Sequence, residues 1–279
     1  NMGQIVTKIG CAVTPIKRLS FSQFNPKSSD WHSCCVTNGC LTFSKFHPSR
    51  IMMLFILITV VTMGISLFAA ARVKSNFAKF SKVPNARGLS GAEAAAAMLH
   101  RAGVDGVEIV AAGGMLGDHY DPMHKRLVLS PDNYQGRSIA AVGIAAHEAG
   151  HAIQHANAYA PLKARMLAVG VTNYASSAVM WLPLIGMFTG LFHGTVGFTL
   201  MAVGWGIIML FNLITLPVEF DATRRAKAAL TETGMISMDE KGGVDKVLDA
   251  AALTYVAAFI TSLAYMLYYL LPLLAGNRD

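Results

Sequence analysis

The chain has 279 residues, 53% of them hydrophobic and only 14% charged, with a mean hydropathy of +0.45. Soluble domains carry about 25% charged residues, so these figures exclude a simple soluble globule, a disordered chain, a collagen-like repeat and a disulfide-dense scaffold. The formal net charge of +7 is concentrated at the N-terminus, where Lys8, Lys17, Arg18, Lys27, Lys45 and Arg50 face Asp30 alone, so it gives no argument for nucleic-acid binding by the folded part.

Residues 1–51 hold all four cysteines, Cys11, Cys34, Cys35 and Cys40, and show neither helical nor strand periodicity. Cys34, Cys35, Cys40 and His47 lack the CxxC pair of a zinc knuckle. Met52 and Met53 stand just before the first apolar run. The segment 1–51 is read as a disordered upstream extension, with the start of the protein proper expected at one of these methionines.

Residues 51–71 carry no charge and are closed by Arg72, which matches the roughly 20 residues needed to cross a bilayer. Residues 166–218 contain no Lys, Arg, Asp or Glu, which suits two helices with a break near 190–197, where Gly190, His193, Gly194 and Gly197 cluster. A further apolar run covers 250–277. The sequence predicts a mainly α membrane protein with four transmembrane helices. It divides into a first span (52–72), a soluble region (73–163), spans two and three (164–218), a cytoplasmic segment (219–249), and a fourth span with a tail (250–279). Arg72, Lys74, Lys79, Lys82 and Arg87 follow the first span, Lys163 and Arg165 precede the second, and Arg224, Arg225 and Lys227 follow the third. By the positive-inside rule both basic segments face the cytoplasm and the turn near His193 faces outward.

Within the soluble region, Ser90 and Glu93 have the spacing of a capping box before an Ala-rich helix at 92–101. Residues 107–111 read as a strand, and 118–121 and 125–130 flank a turn at Pro122 as a hairpin. Asp132 or Asn133 opens the approach to a helix at about 138–157. The order is helix, small antiparallel sheet, helix: an α+β region.

That last helix carries His147-Glu148-Ala149-Gly150-His151, an HExxH motif. Residues four apart share a helix face, so two imidazoles can grip one metal ion. Glu148 projects beside that face, where it can take a proton from water. Zinc acidifies water to a pKa of roughly 7, so a carboxylate base suffices near neutral pH. The bland alternative is a pair of solvent-facing histidines on an amphipathic helix. Against it, the flanks (139–146, Ala152, Ile153) are small and apolar, so the helix is packed, and buried imidazoles beside a buried carboxylate need a partner such as one zinc ion per chain.

Catalytic zinc commonly takes three protein ligands. Glu219 stands just past the third span on the same side of the membrane as the motif, and Asp221 is its alternative. His155 lies about 12 Å along the axis from His147 and cannot close on the same ion. His119 and His124 are read as surface or substrate-side residues, and Asp118, Tyr120 and Asp121 as a polar turn rather than a cleft wall.

HEAGHAIQH, preceded by GDHYDPMHKRLVLSPDNYQGRSIAAVGIAA and followed by LPVEFDATRRA, resembles the bacterial YugP-type neutral zinc metallopeptidases. The resemblance covers 52–279, including ARVKSNFAKFSKV after the first span, and leaves 1–51 without a counterpart. It implies a membrane-bound zinc peptidase with a zincin-like domain, in which His147 and His151 match the metal ligands and Glu148 the catalytic carboxylate. Glu219 matches the distal ligand of the broader HtpX-like membrane metalloproteases. Those relatives place an Asp four residues after the ligand Glu, where it orients a metal-bound His. Here that position is Thr223, and Asp221 stands two residues on, on a different helix face.

The leading reading is a multi-pass metalloendopeptidase of the inner (plasma) membrane, working on protein or peptide substrates at the cytoplasmic face, with no nucleic-acid partner. Water activated by zinc attacks the scissile carbonyl and Glu148 shuttles the proton, while an edge strand of the small sheet aligns an extended peptide by β-augmentation. One alternative is an intramembrane protease, opposed by the lack of Asp in the uncharged spans. The other is a non-catalytic membrane protein with a structural zinc, opposed by the intact Glu148.

Overall fold

A computed structural model describes residues 48–113, 117–190 and 195–276. The cysteines, His47 and the turn around His193 lie outside the described residues.

The first apolar run and the basic stretch behind it form one helix, α1 (Pro48–Phe80). Nothing in that stretch breaks the backbone ladder, so α1 continues past Arg72, Lys74 and Lys79 until the turn before Pro84. The expected end of the first span marks the end of the apolar surface and not of the helix. Helix α2 (Gly91–Arg101) begins as the capping box requires: the Ser90 hydroxyl accepts from Glu93 N at 3.2 Å, and the Glu93 carboxylate accepts from Ser90 N at 2.7 Å.

Three short strands follow, β1 (Glu108–Ala111), β2 (His119–Asp121) and β3 (Arg126–Leu129), in the order β1-β3-β2. The hairpin around Pro122 forms as predicted, with Tyr120 opposite Leu127. The sheet is mixed, however, and not antiparallel: β1 pairs in parallel with β3. From β1 the chain crosses to the far edge, and the hairpin then returns it between the two. Leu127 and Leu129 are fully buried, so β3 takes the centre and β2 remains an edge.

A short helix, α3 (Pro131–Tyr134), leads to α4 (Ile139–Ala156), whose N-cap Ser138 accepts from Ala141 N at 3.2 Å. This helix is enclosed by α2 and by the two helices α6 (Thr195–Glu232) and α7 (Met238–Gly276). Its alanines 140, 145, 146 and 149 have no exposed surface.

Helix α5 (Ala160–Thr189) ends at Gly190, which adopts a left-handed φ of 71°. It packs on α6, α6 on α7, and α7 on α1. Gly204 permits the α5–α6 approach, since a Cβ there would lie 2.6 Å from Val179. Four helices, α1, α5, α6 and α7, are long and apolar enough to cross a membrane. Between α6 and α7 the Asn212 amide donates to the Ser262 hydroxyl at 3.0 Å, the kind of polar pin that spans use in place of hydrophobic drive.

The segment expected at 219–249 is almost entirely helix. Helix α6 runs on through Pro217 to Glu232, the chain turns at Gly234 (φ 62°), and α7 starts at Met238. An apolar span is thus prolonged by a polar, buried turn carrying Glu219, Asp221 and Thr223.

Candidate metal centre

The site forms where α4 crosses α6. Gly150 makes the crossing close: a Cβ at that position would meet the Ala222 carbonyl oxygen at 2.9 Å and its Cα at 3.2 Å. His147 and His151 bracket Gly150 on α4, and Glu219 lies one turn before Ala222 on α6. One Glu219 oxygen, Oε2, is 3.2 Å from His147 Nε2 and 3.5 Å from His151 Nε2. Ligand atoms of the three residues all lie within 4.8 Å of one another, and each residue is largely shielded from solvent.

The other nitrogen of each imidazole is engaged. His147 Nδ1 faces the Thr223 hydroxyl at 3.3 Å, and His151 Nδ1 faces Gln154 Oε1 at 3.1 Å. Gln154 is fully buried, and its Nε2 donates to the Val218 carbonyl at 2.8 Å and to Asp221 Oδ2 at 2.9 Å. Asp221 in turn accepts from Arg225 at 2.6 Å and from Arg224. Both rings are therefore held by Nδ1 with Nε2 turned to one point, the arrangement in which metal-binding histidines are oriented. The donor set fits zinc: two imidazoles and one carboxylate, buried and converging, with the rest of the shell open to the cleft.

The second Glu219 oxygen, Oε1, accepts from Arg165 at 2.6 Å. Glu148 faces the same cleft, and its carboxylate has no hydrogen-bond partner among the described residues. Burial pushes the Glu148 carboxyl above its usual range, outweighing the pull of His151 and His147. For His151, burial alone would depress the imidazole, but Glu219 and Glu148 outweigh it and raise the pKa.

The cleft holds about 260 Å³. Asp118, His119, Tyr120 and Pro122 of the hairpin line one side, and Leu162, Arg165, Met166 and Val169 of α5 line another, with Tyr255 of α7 nearby. Two of the three residues read as a polar turn are thus cleft wall, while Asp121 does not line it: Asp118 is locked by Ser130 N and the Asn133 amide, both at 2.7 Å, and the Tyr120 hydroxyl bonds His155 Nδ1 at 2.9 Å. His155 stays outside the metal cluster and anchors β2 to α4. His119 reaches the cleft, while His124 pairs with Asp121 at 2.6 Å on the surface.

Asp221 does not enter the His147, His151 and Glu219 cluster. Its oxygens are taken by Gln154, Arg224 and Arg225, so its place is behind the site. Sequence reasoning missed Gln154, Arg165 and Tyr255. Gln154 carried a signal, being a polar residue three positions after His151 in a helix that, apart from the motif and His155, is built of apolar residues. Arg165 counted only as a topological charge, and Tyr255 is hidden in an apolar run.

The family described as "Putative neutral zinc metallopeptidase" matches residues 55–274. The chain is similar to the "Putative membrane protease YugP" of Bacillus subtilis (strain 168), 44% identical over 232 residues, covering 81% of this chain and 100% of the relative. No solved structure matches.

Proposed function

The chain belongs to this neutral zinc metallopeptidase family, and on that premise we propose that it is a membrane-bound zinc metalloendopeptidase with its working face in the cytoplasm. One observation carries the reading: a buried carboxylate without a hydrogen-bond partner, Glu148, stands in the cleft beside a convergent His147, His151 and Glu219 set. Buried carboxylates without partners are costly, and a raised pKa beside a metal-type donor set is what a general base requires.

In this reading His147, His151 and Glu219 hold zinc, and Arg165 fixes the Glu219 carboxylate from the far side. Bound zinc supplies Lewis-acid activation of water and of the scissile carbonyl. Glu148 takes the proton of the attacking water and returns it to the amide nitrogen as the C–N bond breaks. The free edge of β2 receives an extended peptide in register, with Tyr120 kept in place by His155. The basic clusters at 72–87 and 224–227 support a cytoplasmic working face by the positive-inside rule. The motif helix α4 is not among the four apolar helices, which favours this reading over an intramembrane protease.

The test is zinc content and proteolysis of the purified full chain beside its Glu148→Gln variant. Zinc near one per chain in both, with turnover in the wild type alone, is the expected result. A wild type that is folded, free of chelator and devoid of zinc would sink the reading.

A further inference from the structure

The α5 wall of the cleft has a continuation that peptide hydrolysis alone leaves unused. Leu162, Arg165, Met166 and Val169 line the cleft, and their spacing of three or four places them on one helix face. The same face runs on through Asn173 and Ser176, both exposed, to Met180. The stripe by which α5 packs on α6 is a different one, where Thr172, Ala175, Val179 and Gly186 are buried.

Asn173 stands seven residues into the uncharged stretch that begins at Met166, about 10 Å along the helix. A short side chain at that depth does not reach the headgroup region. The Asn173 backbone carbonyl takes the Ser177 hydroxyl at 2.9 Å, but the side-chain amide has no partner among the described residues, and neither has the Ser176 hydroxyl. Elsewhere in the spans the amide of Asn212 is paired with Ser262. Polar side chains at membrane depth face protein or water, because acyl chains leave their hydrogen bonds unmade. A second copy of this chain lying on the stripe would also cover the Val169 side of the cleft. A helix that arrives with the substrate would instead bring a partner to Asn173 and end beside Val169, which lines the cleft together with Glu148.

Resting on the peptidase reading above, we propose that the Val169, Asn173 and Ser176 face of α5 docks a transmembrane helix of the substrate, so that the bond hydrolysed lies just outside the membrane-spanning part of a membrane protein.

The test uses the full chain in phosphatidylcholine–phosphatidylglycerol vesicles with a designed substrate. That substrate is a single apolar helix of about 20 residues bearing a central Ser and a flexible extension; the extension alone is the soluble comparator. Asn173→Leu and Ser176→Leu should lower kcat/KM on the anchored substrate by about three- to tenfold, the size of a lost interhelical polar contact, and so lower the anchored-to-soluble ratio by the same factor. A binding readout that needs no turnover comes from Asn173→Cys in a Glu148→Gln chain whose four native cysteines are replaced by Ser. With an added thiol oxidant it should form a disulfide with a cysteine in the substrate helix. An unchanged ratio, or a disulfide between two copies of the chain in place of one to the substrate, overturns the docking proposal and leaves the peptidase reading standing. A zinc-loaded wild type that cuts neither substrate overturns the peptidase reading and this proposal with it.

Discussion

Removing Gln154 tests whether the polar relay behind the metal centre sets its affinity. Gln154 has no exposed surface and contacts His151 Nδ1 at 3.1 Å, the Val218 carbonyl at 2.8 Å and Asp221 at 2.9 Å. In Gln154→Ala, Asp221 keeps Arg224 and Arg225, so the group left stranded is the His151 Nδ1. A buried polar group without a partner costs about 1–3 kcal/mol in stability. The ring also loses the contact that fixes its tautomer and aim, and losses of this type typically weaken metal binding by about 10–100-fold. At about 1.4 kcal/mol per factor of ten, that is about 1.4–2.8 kcal/mol of zinc affinity. Competition against a zinc chelator on the purified full chain reads it directly. Asp221→Ala, which merely loosens Gln154, should lose less than Gln154→Ala; an Asp221 that ligated the ion would lose more. A Gln154→Ala protein that folds normally and binds zinc within about twofold of the wild type would refute the relay, since outer-shell losses run to tenfold or more.

The other predictions concern ligands, helix spacing and topology. His147→Ala, His151→Ala and Glu219→Ala should each lower zinc content together with activity, whereas Glu148→Gln should retain zinc and lose about 10²–10⁴ in rate, as measured by metal analysis beside a proteolysis assay. Gly150→Ala places a methyl 2.9 Å from the Ala222 carbonyl oxygen, so it should push α4 from α6 and reduce both zinc affinity and thermal stability in a melting experiment. Chelating zinc from the wild type should lower the same melting transition, because a ligand that binds only the folded state stabilises it by mass action. In a chain freed of its native cysteines, a probe cysteine near His193 should react with an impermeant reagent from outside the cell and one near Lys241 should not; the reverse pattern inverts the topology.

Much of this arrangement was legible in the residues because its signals are local. The Ser90 and Glu93 pair needs only three residues of spacing, and the small apolar flanks of HExxH announce a packed helix on their own. Strand pairing was not legible. Whether β1 runs with or against β3 depends on where the chain crosses between them, and the apolar pattern of 107–111 is the same either way. The end of the third span misled for a related reason. Charge and Pro217 at 217–224 mark where the uncharged run stops, but a helix packed on α4 and α7 continues regardless of hydropathy, and only tertiary contact shows it.

The continuity of α6 explains why Glu219, and not Asp221, joins the His147 and His151 cluster, and why Thr223 faces the other side of His147. On one unbroken helix, residues four apart share a face. Glu219 and Thr223 therefore approach α4 together, one turn apart, matching His147 and His151 on the opposing helix. Asp221, two positions from Glu219, is rotated by about 200° from it and contacts the end of α4 through Gln154. At position 223 a hydroxyl thus stands where the HtpX-like pattern has a carboxylate, and it faces His147 Nδ1 at 3.3 Å. An uncharged orienting group withdraws one negative charge from a buried centre that already holds Glu148 and Glu219. Arg165, which donates to Glu219 Oε1 at 2.6 Å, is the cation that faces these carboxylates from α5. The Arg165 interaction ties the electrostatics of the centre to the first turns of α5, the helix that forms the cleft's apolar wall.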